Sequence, residues 1–600
     1  MSSMRGRRHD GPAMTGRAIR RVWLAKWVGG GRVLVAKTLA WMSEWVIAGR
    51  LAAVGYYRRA RGWPVGAGMM RIWRGRSQTP RLLLVPQELR TADPVRADEI
   101  IAGLHVFAGR TVQAVDPFAA TPPSEEWQEA LSGFGWLRHL RAAATPEAGA
   151  AARQLVEAWL AAQGRDHSVG WQPQITAERL RAWLAASGLL LAGADEMFYR
   201  RFARSLWWQV RVLDAQFASL APGADRLAVL VALVMAGLCL EGEERLLKWA
   251  SQRLGEELDR QILPDGGHVS RDPGVLVGLV LDLLPLRQLF PARNVTPPAA
   301  ILTAVDRMMP MIRFFRLGDG TIARFNGMGP TGIDLVTTAL VYDESRGTVP
   351  GSAPHSGFER LEAGTTVVIT DVGAPPPASY STGAHAGTLS FELSTGRQLV
   401  VMNCGVPTVH RASWRKEARK TAAHSTATVA DRSSARFVRR GPAEGAMLSG
   451  PHVVEVDRRD LTVTATHDGY RRRLGVQVAR VMTLAEDGER LDGEDAIEGA
   501  DQPYALRFHL HPTVQPVPTE QGRSVLLLLP TGEAWVFAAD AGVTIEESIA
   551  LAMPEGPRRT SQLVVEGRSG TTPSVRWTLR RLERPATHVP DSEPEPQLPL

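Results

Sequence analysis

The chain has 600 residues, of which 44% are hydrophobic and 22% charged, which supports two or three domains with sizeable cores and argues against global disorder. A net charge of +8 and a pI near 9.8 suit an acidic partner such as a polyanionic glycan, nucleic acid or a membrane surface. Cys239 and Cys404 give no disulfide framework and read as buried thiols.

Much of the positive charge lies in a basic, Trp-rich leader, residues 1–79. Lys26, Arg32, Lys37, Glu44 and Arg50 interrupt it, no secretory signal is evident, and no run reaches the ~18 apolar residues that span a bilayer. Trp23, Trp27, Trp41 and Trp45 with these cations fit a surface helix making peripheral membrane contact, or an irregular leader packed on the first domain. Residues 80–345 read as a helical domain. Short strands and turns occupy Asp98 to Pro123, and Ser124 with Glu125 and Glu126 starts a helix. Helical periodicity then recurs in Trp127–Arg141, Ala151–Ala162, Ile175–Leu191, Met197–Leu213, Arg226–Leu240, Glu244–Leu258, Pro273–Leu289 and Pro297–Phe315. Short Gly- and Pro-bearing connections imply helical hairpins, in a bundle or a toroid of α/α pairs. Trp136, Trp171, Trp183, Trp207 and Trp208 fall at helical spacing and read as core, with sugar stacking the other use.

Residues 346–585 change character. Strands recur in Thr365–Thr370, Val453–Val456, Leu461–Thr466, Leu506–Leu510, Val525–Leu529, Ala534–Phe537 and Ser574–Leu579, the signature of an antiparallel β-sandwich. The tail, 586–600, is acidic, Pro-rich and expected to be disordered. No Walker, Rossmann or CxxC motif occurs, and no helix-turn-helix, RNP or zinc-knuckle pattern supports nucleic acid.

The stretch Ser379–Gly405 carries the strongest functional signal. Leu389, Phe391 and Leu393 alternate with Ser390, Glu392 and Ser394, predicting a strand buried on one face. Ser394–Arg397 reads as a turn and Leu399–Met402 as the returning strand. His385 stands ahead of this hairpin and Asn403 at its end.

HAGTLSFEL (His385–Leu393), NCG (Asn403–Gly405) and TAAHSTATV (Thr421–Val429) resemble, in order, three words of the heparinase II/III-like polysaccharide lyases. ILPDGGHVSRDP (Ile262–Pro273), FNGMG (Phe325–Gly329), HDGY (His467–Tyr470) and RFHLHP (Arg507–Pro512) extend the resemblance over roughly residues 80–580. It implies an incomplete (α/α) toroid followed by an antiparallel β-sandwich. It also implies a bacterial protein of the periplasm or cell envelope, with a cytoplasmic location as the alternative.

A polysaccharide lyase removes the C5 proton of a uronic acid and expels the O4 substituent, which needs a base, an acid and a partner for the carboxylate. The resemblance places a Tyr and a His at the start of a toroid helix, where this chain has Val275 and Leu276. On the sandwich, His385 remains, with Gly383 and Gly387 at the family's other His and its Asp. His385 is therefore the expected catalytic base and Tyr380, the phenol nearest in sequence, a substitute. His268 and Arg271 are candidates for binding an anionic sugar, or parts of a structural turn. The resemblance also implies one divalent ion, most naturally zinc, on His385, Asn403 and His424, or else a hydrogen-bonded histidine pair. Two functions follow: β-elimination on a uronate-containing acidic polysaccharide, or non-catalytic glycan binding in envelope assembly.

Overall fold

From Pro94 to Val341 the chain is almost entirely helical, and from Ser352 to Arg581 almost entirely strand and turn. The computed structural model describes residues 46–57, 78–162, 169–344, 347–407, 412–519 and 521–582. Trp23, Trp27, Trp41, Trp45 and the tail 586–600 lie outside them. Residues from Arg50 onward form one unit, so contacts between the helical and β parts can be followed side chain by side chain.

Side-chain caps fix several helix starts. Ser124 Oγ accepts the Trp127 N–H at 3.2 Å, and Asp195 Oδ1 accepts that of Phe198 at 2.6 Å. Pro173–Ala185, Ala224–Cys239 and Gly274–Ala292 pack side by side, joined by the amphipathic Glu196–Phe217 and Glu244–Gln261. Gly274–Ala292 is apolar all round and, among the described residues, the one helix both long and apolar enough to cross a membrane. It is mostly buried against Ala224–Cys239, Ala299–Phe315 and Ile333–Val341, as a core helix is. Trp136, Trp171, Trp183 and Trp207 are buried and Trp208 half-buried in this core. The extended segment before Pro94 ties the ring together. Leu83 N–H donates to Cys239 O, Arg90 pairs with Asp282, Arg138 Nε donates to Thr91 O, and Thr91 bonds Asp334.

The β part is built on two large antiparallel sheets face to face, with a separate small pair, Arg436–Phe437 and Met447–Ser449. One runs Thr544–Ala550, Arg558–Arg568, Pro503–Leu510, Gln398–Met402, Phe391–Thr395, Thr366–Asp371, Phe358–Ala363 and Ser352–Ala353, with Ala427–Val429 also on Pro503–Leu510. The other centres on Val476–Leu484, Arg490–Gly499 and Ser574–Arg581. Phe391 stacks on Trp577 (centroids 5.6 Å apart), and Phe508 meets Phe537 at 4.7 Å between the sheets. Within this apolar layer Arg480 and Asp495, 2% and 1% exposed, face each other across neighbouring strands. They pair through Nε–Oδ1 at 2.8 Å and Nη2–Oδ2 at 3.0 Å.

The hairpin differs from the sequence expectation in two ways. Leu389 has φ +64°, so the strand begins at Phe391 rather than Leu389. It is also buried on both faces: Glu392 and Ser394 are fully covered, because the helical domain packs on the face that would otherwise meet solvent. Gly318 N–H donates to Ser394 Oγ at 2.9 Å across that contact.

A candidate active site where the two domains meet

The loop after Ile262 forms the joint. Asp265 accepts both the N–H and the Oγ–H of Ser356, and a Cβ on Gly267 would sit 1.8 Å from that Oγ, so only glycine allows the approach. Arg271, held at φ +60°, engages all five of its N–H donors on the β domain: Ser356 O, Gly357 O, Gly373 O, Ala374 O and Asp371 Oδ1. Its guanidinium also lies 4.6 Å over the Phe358 ring. His268 is 2% exposed, with Nδ1 on Ser270 Oγ at 2.7 Å and Nε2 on Gln261 Oε1 at 3.0 Å. Burial pushes its pKa down to about 4. The expectation that His268 and Arg271 meet an anionic sugar is thus corrected: Arg271 gives its donors to the β domain and holds the domains together, while His268 braces its own loop through Ser270 and Gln261.

From this joint a chain of bonds leads to the histidines. Asn326 donates through Nδ2 to Arg271 O at 2.8 Å and accepts the His385 N–H at 3.1 Å. Arg419 fixes the same loop by donating to Ala384 O and Ser381 O, and Arg480 Nη1 reaches Leu389 O and Ser425 O. His385 and His424, 39 residues apart in sequence, are thereby brought together, Nδ1 to Nε2 at 3.0 Å with rings nearly perpendicular.

The hydrogen-bond partners set the tautomers. Lys420 O can only accept, so His424 Nδ1, 2.8 Å away, carries the hydrogen. His424 Nε2 is then bare and accepts from His385 Nδ1–H, which leaves His385 Nε2 with a free lone pair. No hydrogen bond to that atom occurs among the described residues. Burial, then the proximity of His424 and Arg419, holds His385 well below the usual histidine pKa, and burial puts His424 at about 4. Both rings are neutral at working pH: an oriented two-imidazole relay ending in a base.

Asn403 lies beside the pair. Its Oδ1 accepts the Ser425 N–H at 3.0 Å, its backbone N–H donates to Glu392 Oε1, and its Nδ2 is buried without a partner. The three residues do not fit a divalent ion as they stand. The set carries no negative charge, Asn403 Oδ1 is engaged, and the two imidazoles bond each other. No group of three His, Cys, Asp or Glu suited to a metal occurs among the described residues. Gly387, at the family's Asp position, shows why: a Cβ there would stand 2.6 Å from His424 Cδ2, so the imidazole fills that space.

Tyr380 closes the 3-10 turn Ala378–Tyr380 and is half-buried. Val275 is half-buried and Leu276 buried in the first turn of Gly274–Ala292. His509 sits behind the pair, bonded to Ser548 Oγ and Ala422 O, with its pKa pushed by burial down to about 3. Sequence reading missed Asp272, whose signal was an Asp-Pro-Gly helix start.

Residues 345–578 match the family model described as heparinase II/III-like, C-terminal. The chain is also 31% identical over 532 residues to FtsZ-localized protein C of Caulobacter vibrioides (strain NA1000 / CB15N), covering 83% of this chain and 90% of that protein. It belongs to the heparinase II/III-like family. Solved structures agree at the level of fold. A heparinase III structure matches with TM-score 0.63 and 14% identity, covering 84% of this chain and 87% of that one. A heparan sulfate lyase HepC mutant from Pedobacter heparinus matches with TM-score 0.55 and 14% identity, over 93% and 92% of the two chains. This heparinase II/III-like chain therefore has the toroid-plus-sandwich architecture, while its site carries its own substitutions.

Proposed function

We propose that this chain cleaves a uronate-containing acidic polysaccharide by β-elimination, with His385 Nε2 as the base that takes the C5 proton. One observation carries the reading: the His385–His424–Lys420 relay fixes a neutral imidazole with a bare nitrogen beside the inter-domain joint. Arg419, whose charge reaches His385, supplies a cation beside it for the sugar carboxylate. Solved relatives described as heparinase III and heparan sulfate lyase support the substrate class. The name of the Caulobacter relative motivates a location with FtsZ, in work on the bacterial cell envelope.

A second reading, glycan binding without cleavage, is favoured by Val275 and Leu276, which cannot transfer protons where the family has Tyr and His. Incubation with heparan sulfate, chondroitin sulfate and polygalacturonate separates the two. Cleavage yields unsaturated uronate ends absorbing in the ultraviolet, whereas binding without product selects the second. A fluorescent fusion imaged with FtsZ tests location, and a diffuse signal would reject it.

A further inference from the structure

The toroid-side base and acid of the family are missing, yet a carboxylic acid lies one turn away on the same helix start. Asp272 precedes Gly274–Ala292, and its Oδ1 accepts the Gly274 N–H at 2.9 Å, which fixes the side chain. Its Oδ2 has no hydrogen bond among the described residues. A Cβ on Gly327 would stand 2.6 Å from that Oδ2 and 3.5 Å from Gly383 O. The missing side chain at Gly327 thus lets the Asp272 carboxyl approach the loop that carries His385. Asn326, next to Gly327, takes the His385 N–H, so one short segment separates the carboxyl from the histidine relay.

We propose that Asp272 is the general acid that protonates the departing O4 of the glycan, a role that rests on the β-elimination reading above. In the step, the C5–H bond breaks and its proton goes to His385 Nε2. The electron pair forms the C4=C5 double bond, the C4–O4 bond breaks, and O4 takes the Asp272 proton. Water returns a proton from the His385 imidazolium to the Asp272 carboxylate for the next turnover. Desolvation raises Asp272 to about 6, opposed by the Gly274 bond, so a protonated fraction is present near neutrality. Charged or titratable groups on its own loop and the packed segments are Asp265, His268, Arg271, Arg324 and His385; Asp265 is bonded to Ser356 and Arg324 faces Glu392. Arg271 is paired with Asp371, and His268 and His385 are held neutral.

The test compares wild type, Asp272→Asn and Asp272→Glu on the three polymers and on a 4-deoxy-4-fluoro-uronide, whose fluoride leaves without needing a proton. Asparagine can still accept the Gly274 N–H, and circular dichroism melting checks folding. Expected is a loss of kcat of about 100-fold or more on polymer for Asp272→Asn, with KM little changed. Turnover of the fluoride should fall by no more than a few-fold, and glutamate should restore part of the polymer activity. Equal losses on polymer and fluoride, or polymer turnover retained in Asp272→Asn, overturn the role of Asp272 while leaving β-elimination standing. No product from wild type on any polymer overturns both.

Discussion

Replacing Arg480 with methionine keeps most of the side-chain volume and removes every donor. In the native sandwich that guanidinium pairs with buried Asp495 and donates to Leu389 O and Ser425 O, while Trp577 Nε1 gives Asp495 its other bond at 2.8 Å. Arg480→Met leaves a carboxylate in an apolar layer with one donor and strands two carbonyls. Breaking a buried pair costs about 3–5 kcal/mol, and the carbonyls place this site toward the upper end. A sandwich of about 230 residues unfolds with about 0.5 kcal/mol/K of entropy, so Tm should fall by about 8–10 °C. Scanning calorimetry on the full chain reads it, following the sandwich transition. The double variant Arg480→Met, Asp495→Leu removes the stranded charge and should recover part of the loss. A single variant within about 2 °C of wild type, or a double no better than the single, would refute the argument. Because Leu389 and Ser425 adjoin the two histidine loops, the single variant should also lower turnover.

Other outcomes follow from the same geometry. His268 and His424, at about 4, and His467 and His509, at about 3, are neutral when folded but bind protons near ~6.5 when unfolded. Stability is therefore lost as pH falls from ~6.5 towards 4, by up to about 3 kcal/mol for one such group. Glu392 at about 7 and Asp272 at about 6 act oppositely, stabilising at low pH and losing that contribution as pH rises, but they are fewer. Tm should fall between pH 7 and pH 4.5, and a rise would contradict the burial argument. Gly387→Asp places a side chain where the His424 imidazole stands, so it should break the histidine pair and lower turnover without unfolding the sandwich. Unchanged kinetics would show the pair is dispensable. Val275→Tyr returns a phenol to the first turn of Gly274–Ala292 and should raise turnover. Activity unchanged or lower would mean that the cleft no longer has the family's shape.

Alternation and helical spacing showed the order of helices and then strands, because burial against a single core imposes those periods. They misplaced the start of the hairpin strand, since nothing local marks Leu389 as left-handed or reveals a second domain covering Glu392. His385, Asn403 and His424 were legible as words, but the bond between the two histidines depended on Gly387 making room. Arg271 looked like a ligand cation because a sequence cannot show five acceptors arriving from another domain. Arg480 could have been found: it falls in phase with Val476, Val478 and Met482, which face inward, and an inward arginine demands a carboxylate such as Asp495 on the next strand.

The most direct measurement is ultraviolet-monitored release of unsaturated uronate ends from polymer by wild type and by His385→Ala, the two proteins matched for folding by circular dichroism. The β-elimination reading predicts product with wild type and none above background with His385→Ala. Equal product from both would remove His385 from the chemistry. No product from wild type, together with measurable polymer binding, would leave the chain as a glycan-binding member of its family.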